Sequence, residues 1–151
     1  MEESKFKTSL LPTEGLGSDS ETQELPPAKS HLVLIVDDVV DNLQLMSLNL
    51  QNLGYRVVTA VDGEDAVKVA TLTRPDVILM DIAMPILDGL GAARKIRQDI
   101  TLEHVPIIAL SAFSTDGFLQ AAYDVGFAGY LTKPVDMDKV QDLITSLCPI
   151  P

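Results

Sequence analysis

The sequence predicts an α/β protein built as (βα)5, a doubly wound parallel sheet, and three observations carry that prediction. From His31 onward, short runs of Val, Ile and Leu alternate strictly with amphipathic stretches. The runs carry apolar residues on both faces, as strands buried between helical layers must. The boundaries carry residues that start and stop helices. Strands are expected at Leu32 to Val36, Arg56 to Ala60, Asp76 to Met80, Pro106 to Leu110 and Ala128 to Leu131. Between and after them apolar residues recur at helical spacing: Leu43, Met46, Leu50 and Leu53; Ala66, Val69 and Ala70; Leu90, Ala93 and Ile96; Phe118, Ala121, Ala122 and Val125; Val140, Leu143, Ile144 and Leu147. Gly54 and Gly126 stand where a helix needs a left-handed stop, and Asp62 and Asp136 where a helix needs an N-cap.

Right-handed crossovers give the flavodoxin-like strand order 2-1-3-4-5, with the switch point between the first and third strands. Ligand chemistry is then expected just beyond the carboxyl ends of those strands. Residues 1–30, rich in Ser, Thr, Glu, Pro and Gly, hold three basic and six acidic side chains and no sustained hydrophobic period, and read as a disordered acidic tail. The folded unit is expected over 31–148, with 149–151 as a C-terminal end.

The chain of 151 residues carries a formal charge of −11, which argues against direct nucleic-acid binding because phosphate neutralisation needs clustered Lys and Arg. The lone Cys148 offers no intrachain disulfide, and no apolar run reaches the roughly 20 residues needed to cross a bilayer. A cytoplasmic protein without membrane contact is expected.

The strand ends carry the chemistry. The first ends in Asp37-Asp38, the third in Asp81, the fourth in Ser111, and the fifth in Thr132-Lys133-Pro134. A nucleotide-binding sheet of this type needs glycines after its first strand so that backbone N–H groups can cradle phosphate. Here carboxylates occupy that turn, and they would repel phosphate and attract a cation. Three converging carboxylates repel one another unless a cation intervenes, and an all-oxygen set that leaves room for water suits Mg²⁺. Any one of these residues alone reads as a turn or cap, as Asp41 does; the joint pattern does not.

In this order and spacing the residues resemble the receiver domains of two-component response regulators. The motifs are Asp37-Asp38, the stretch from Asp81 through Met84-Pro85 to Asp88-Gly89, Ser111-Ala112, and Tyr130-Leu131-Thr132-Lys133-Pro134. The resemblance implies phosphoryl transfer from a histidine kinase or histidine phosphotransfer protein onto Asp81. It further implies that Asp38, Asp81 and the backbone carbonyl of Ala83 ligate Mg²⁺, and that Asp37 acts through water. Lys133 pairs with Asp81 and then with a phosphoryl oxygen, while Ser111 donates its hydroxyl to another. Tyr130 becomes an aromatic switch coupled to Ser111, and the Lys133-Pro134 peptide is cis. Ala83 and Phe113, where the family often has polar residues, imply slow autodephosphorylation, with no enzymatic turnover beyond that and the self-catalysed acceptance itself. Leu87 replaces the family's usual Met at nearly constant volume.

Competing readings are a receiver-like adaptor that is never phosphorylated, a receiver excised from a hybrid kinase, and a metal-dependent phosphohydrolase using Asp81. The chain stops at Pro149-Ile150-Pro151 with no output module, so a stand-alone receiver acting through an unknown downstream protein is expected. On the first helix Leu45 and Leu48 fall opposite the core stripe. With Asn42, Asn49, Pro134 and Val135 they form the expected surface for docking a partner.

Overall fold

The computed structural model describes residues 31–82, 89–112, 120 and 123–148. The expectations for the tail, Ala83, Leu87, Phe113, residues 149–151 and most of the fourth helix lie outside the described residues. Five parallel strands, β1 (Leu32–Val36), β2 (Arg56–Ala60), β3 (Val77–Asp81), β4 (Ile107–Ser111) and β5 (Gly129–Thr132), form one sheet in the order β2-β1-β3-β4-β5. Helices α1 (Val40–Asn52), α2 (Gly63–Thr73), α3 (Gly89–Gln98) and α4 (Met137–Leu147) are described alongside it. Gln120 and residues 123–125 are also helical. No described helix is long and apolar enough to cross a membrane.

Because side chains alternate across a strand, each central strand feeds two separate cores. Leu34, Val36, Ile78, Met80, Ile107 and Ala109 pack with Ala66 and Ala70 of α2 and Ala92, Ala93 and Ile96 of α3. Val33, Ile35, Val77, Leu79, Ile108 and Leu110 pack with Leu43 and Leu50 of α1 and Val140 and Ile144 of α4. This double burial explains why the central strands read as continuous apolar runs. Each fully buried Leu or Ile contributes about 2 kcal/mol.

Local chemistry sets the element ends. Asp62 accepts from the backbone N–H of Asp65 at 2.8 Å, and the Asp65 carboxylate accepts from Val61 N at 3.1 Å, so the start of α2 is held in both directions. Asp136 caps α4 by accepting from Asp138 N at 2.9 Å. Gly54 and Gly126 adopt φ of 98° and 105°, the left-handed region that stops a helix cheaply only at glycine.

Four expectations are corrected. Strands β3, β4 and β5 each begin and end one residue later than expected, which makes Asp81 and Ser111 the last residues of their strands. At the start of β3, the Asp76 carboxylate accepts from Leu32 N at 2.7 Å, holding that residue in the turn. Leu53, expected on the core stripe, is the C-cap of α1 and 42% exposed, because the helix ends before that turn meets the sheet.

Candidate active site at the carboxyl edge of the sheet

Register places the site. Val36 pairs with Met80, so Asp37 and Asp81 emerge side by side at the ends of β1 and β3, flanking the switch point. Ser111 pairs with Thr132 at the ends of β4 and β5, and the Ser111 carbonyl accepts from Lys133 N at 2.8 Å. That bond fixes the backbone from which the Lys133 side chain reaches back over β4.

Lys133 Nζ donates to Asp81 Oδ2 at 3.0 Å and to Asp37 Oδ2 at 3.3 Å. Both carboxylates are nearly buried, Asp37 4% and Asp81 5% exposed, so one ammonium serves two acids that water barely reaches. Burial opposes the charge on Lys133 and is the largest single influence. The hydrogen bond and charge of Asp81, with those of Asp37, together outweigh it and hold the lysine above its ordinary value. The shared ammonium leaves the acidic cluster with net negative charge. Asp37 also accepts from Val39 N at 2.9 Å through Oδ1 and from Asn42 Nδ2 at 3.3 Å through Oδ2.

Asp37, Asp38 and Asp81 each offer a carboxylate oxygen, and these lie within 4.8 Å of one another. Carboxylate oxygens at that spacing could hold a metal ion, and Asp38 is exposed to water. Ala83, the expected carbonyl ligand, lies outside the described residues. Ser111 is fully buried, and Tyr130, one strand along, is partly buried against the core layer shared with α2 and α3. The Lys133-Pro134 peptide is cis.

The structure therefore brings Asp37, Asp38, Asp81, Ser111 and Lys133 to one edge. Beside them a groove of about 290 Å³ runs from Asp37 and Lys133 between Asn42, Leu45 and Asn49 on one side and Pro134 and Val135 on the other. Leu45 is 62% and Leu48 56% exposed, and Leu48 stands on the same helix outside the groove lining. Two features escaped the sequence reading. Lys133 bonds Asp37 as well as Asp81, and the Asn42 amide turns toward Asp37, although Asn42 was expected only on the docking surface. Neither has a spacing signature.

Comparison with known proteins agrees with this geometry. The family model described as the response regulator receiver domain matches residues 33–145. The response regulator PleD of Caulobacter vibrioides is 36% identical over 104 residues, covering 69% of this chain but only 23% of PleD. The chain thus spans about a quarter of that relative and less than half of several transcriptional regulators it also matches. The chemotaxis protein CheY4 of Vibrio cholerae superimposes with a TM-score of 0.75 at 31% identity, covering 78% of this chain and 98% of that one. The receiver domain of the sensor histidine kinase PA1611 from Pseudomonas aeruginosa, solved with a magnesium ion coordinated in its active-site cleft, gives 0.73 at 36% identity, over 78% of this chain and 97% of that one.

Proposed function

The chain belongs to the response regulator receiver family, and from that premise we propose that Asp81 accepts a phosphoryl group from a histidine kinase or histidine phosphotransfer protein. The observation that carries this reading is the pairing of Asp81 with Lys133 at 3.0 Å inside a three-carboxylate cluster. A phosphoacceptor needs an ionised carboxylate, charge to receive the phosphoryl oxygens, and a fixed direction of approach. Lys133 holds the Asp81 carboxylate oriented and places a positive charge beside it.

An Asp81 oxygen attacks phosphorus in line, an O–P bond forms as the donor's N–P bond breaks, and the leaving imidazole takes up a proton. As negative charge builds on the phosphoryl oxygens, Lys133 shifts from Asp81 to one of them, and the Ser111 hydroxyl donates to another. Asp37, Asp38 and Asp81 would hold Mg²⁺, which supplies neutralisation of the phosphoryl charge. The Ser111 movement opens space that Tyr130 fills, which changes the surface offered to a downstream protein. Asn42, Leu45, Leu48, Asn49, Pro134 and Val135 form the donor's docking surface beside the reaction site. The protein turns over no small substrate; it loses its phosphoryl group slowly by hydrolysis, and it works in the cytoplasm without touching nucleic acid directly.

Intact mass after incubation with Mg²⁺ and a small phosphodonor tests this reading. One added phosphoryl group per chain is the expected result. No adduct would favour a constitutive adaptor, and continuous consumption of the donor a phosphohydrolase; either outcome overturns the proposal.

A further inference from the structure

We infer that Asn42 is a positioning residue for the acidic cluster: its side-chain amide fixes the orientation of the Asp37 carboxylate and thereby the affinity of the cluster for a divalent cation. The inference rests on the cation part of the function proposed above and adds a residue to it. Asp37 is almost fully buried, and its two oxygens are held differently. Oδ1 takes one backbone donor, Val39 N at 2.9 Å, while Oδ2 takes two side-chain donors, Lys133 Nζ and Asn42 Nδ2, each at 3.3 Å. A carboxylate oxygen has about two lone-pair sites, so Oδ2 is filled and Oδ1 keeps one site for water or a metal.

The two donors on Oδ2 are not equivalent. Lys133 is charged, sits on a long flexible stem, and is bound more closely to Asp81, at 3.0 Å. Its charge competes with a cation for Asp37, and it has to move whenever another anion claims it. Asn42 is neutral, short, and anchored in the first turn of α1, two residues inside the helix start at Val40. A neutral amide orients a carboxylate without cancelling the charge that attracts a metal. When Lys133 moves, Asn42 is the side-chain donor that stays. Groups that hydrogen-bond a ligating carboxylate in this way typically change metal affinity by about 10- to 100-fold when they are removed. Asn42 also lines the groove beside α1, so whatever docks there touches the residue that sets Asp37.

The test uses the full chain as wild type, Asn42→Ala and Asn42→Gln. Calorimetric titration with Mg²⁺ alone should show the Ala variant weakened about tenfold, with part of the affinity restored by Gln, which keeps a neutral amide. Thermal midpoints without cation should match wild type, since Asn42 is exposed. Side-chain scalar couplings of Asp37 in cation-free protein should report one χ1 rotamer in wild type and averaging in Asn42→Ala. Equal Mg²⁺ affinity in wild type and Asn42→Ala overturns the inference, as does an unchanged Asp37 rotamer. If wild type binds no Mg²⁺, the cation reading itself fails, and the couplings still decide whether Asn42 holds Asp37.

Discussion

Gly89 opens α3 directly against the end of the strand that carries Asp81, and replacing it by alanine sets two effects of opposite sign against each other. A methyl group there would lie 2.5 Å from the Asp81 carbonyl oxygen and 2.5 Å from the Ile82 Cα. Such contacts settle at about 3.5 Å, so the helix start or the strand end must give by about 1 Å. Both obstacles are backbone and cannot rotate aside. Helix propensity alone favours Ala over Gly by up to about 1 kcal/mol, whereas forcing a methyl into packed structure costs about 1–3 kcal/mol. With contacts this short the steric cost lies near the top of its range and the second effect wins, for a net loss of about 2 kcal/mol and a melting midpoint lowered by about 5 °C or more. Because the displaced backbone belongs to Asp81, labelling by a small phosphodonor should slow by more than about tenfold, as a 1 Å misplacement of a reacting group does. Scanning calorimetry and the time course of the mass adduct measure both. A variant that melts at or above wild type and labels at the wild-type rate would refute the argument, because α3 would then not be pressed against β3.

Further outcomes follow from burial and charge. Leu50→Ala should cost about 2–5 kcal/mol in denaturant unfolding, because Leu50 is fully buried between α1 and the sheet, whereas Leu53→Ala at the exposed C-cap should cost less than about 1 kcal/mol; similar losses would place Leu53 in the core after all. Leu45→Asn with Leu48→Asn should leave the melting midpoint within the small range of surface changes while transfer from the native kinase falls relative to labelling by a small phosphodonor; an unaffected kinase rate would remove these leucines from the docking surface. Lys133 has its folded pKa raised by Asp81 and Asp37 against the opposing effect of burial. Its contribution is therefore complete below the ordinary lysine value and fades as pH rises through the folded one. The stability gap between wild type and Lys133→Met should be constant from pH 7 to about 9 and narrow above about 10.5; a gap that widened with alkalinity would contradict the pairing. The Cys148 thiol, raised by burial and then by the Asp76 charge and donating to the Asp76 carbonyl at 3.2 Å, should react with a thiol reagent at neutral pH far more slowly than in the unfolded chain.

Much of this was legible because the residues concerned act locally or by strand parity. Gly54 and Gly126 announced left-handed stops, Asp62 and Asp136 announced caps, and the five apolar runs announced a buried parallel sheet whose order puts Asp37 and Asp81 together. What escaped depends on distances that no spacing encodes. Arg74 ends α2 in the left-handed region with φ of 49°, a place usually taken by glycine. Leu53 continues the helical period of α1 in sequence but not in space, since periodicity cannot tell where a helix runs off its sheet. The choice of oxygen on Asp37, and its sharing between Asn42 and Lys133, arises between groups 5 and 96 residues away. Gly89 appears in sequence only as the last residue of the motif that begins at Asp81; its need to be glycine comes from the Asp81 backbone passing beneath it.

The central claim is that Asp81, among the acids clustered at this edge, forms the bond to phosphorus. Borohydride reduction of the protein after incubation with Mg²⁺ and a small phosphodonor, followed by peptide sequencing in the mass spectrometer, locates an acyl phosphate directly, because only the phosphorylated carboxyl is reduced to an alcohol. The account predicts the reduced residue at position 81 alone and its loss, with the whole adduct, in Asp81→Ala. A mark at Asp37 or Asp38, or a full adduct persisting in Asp81→Ala, would contradict it.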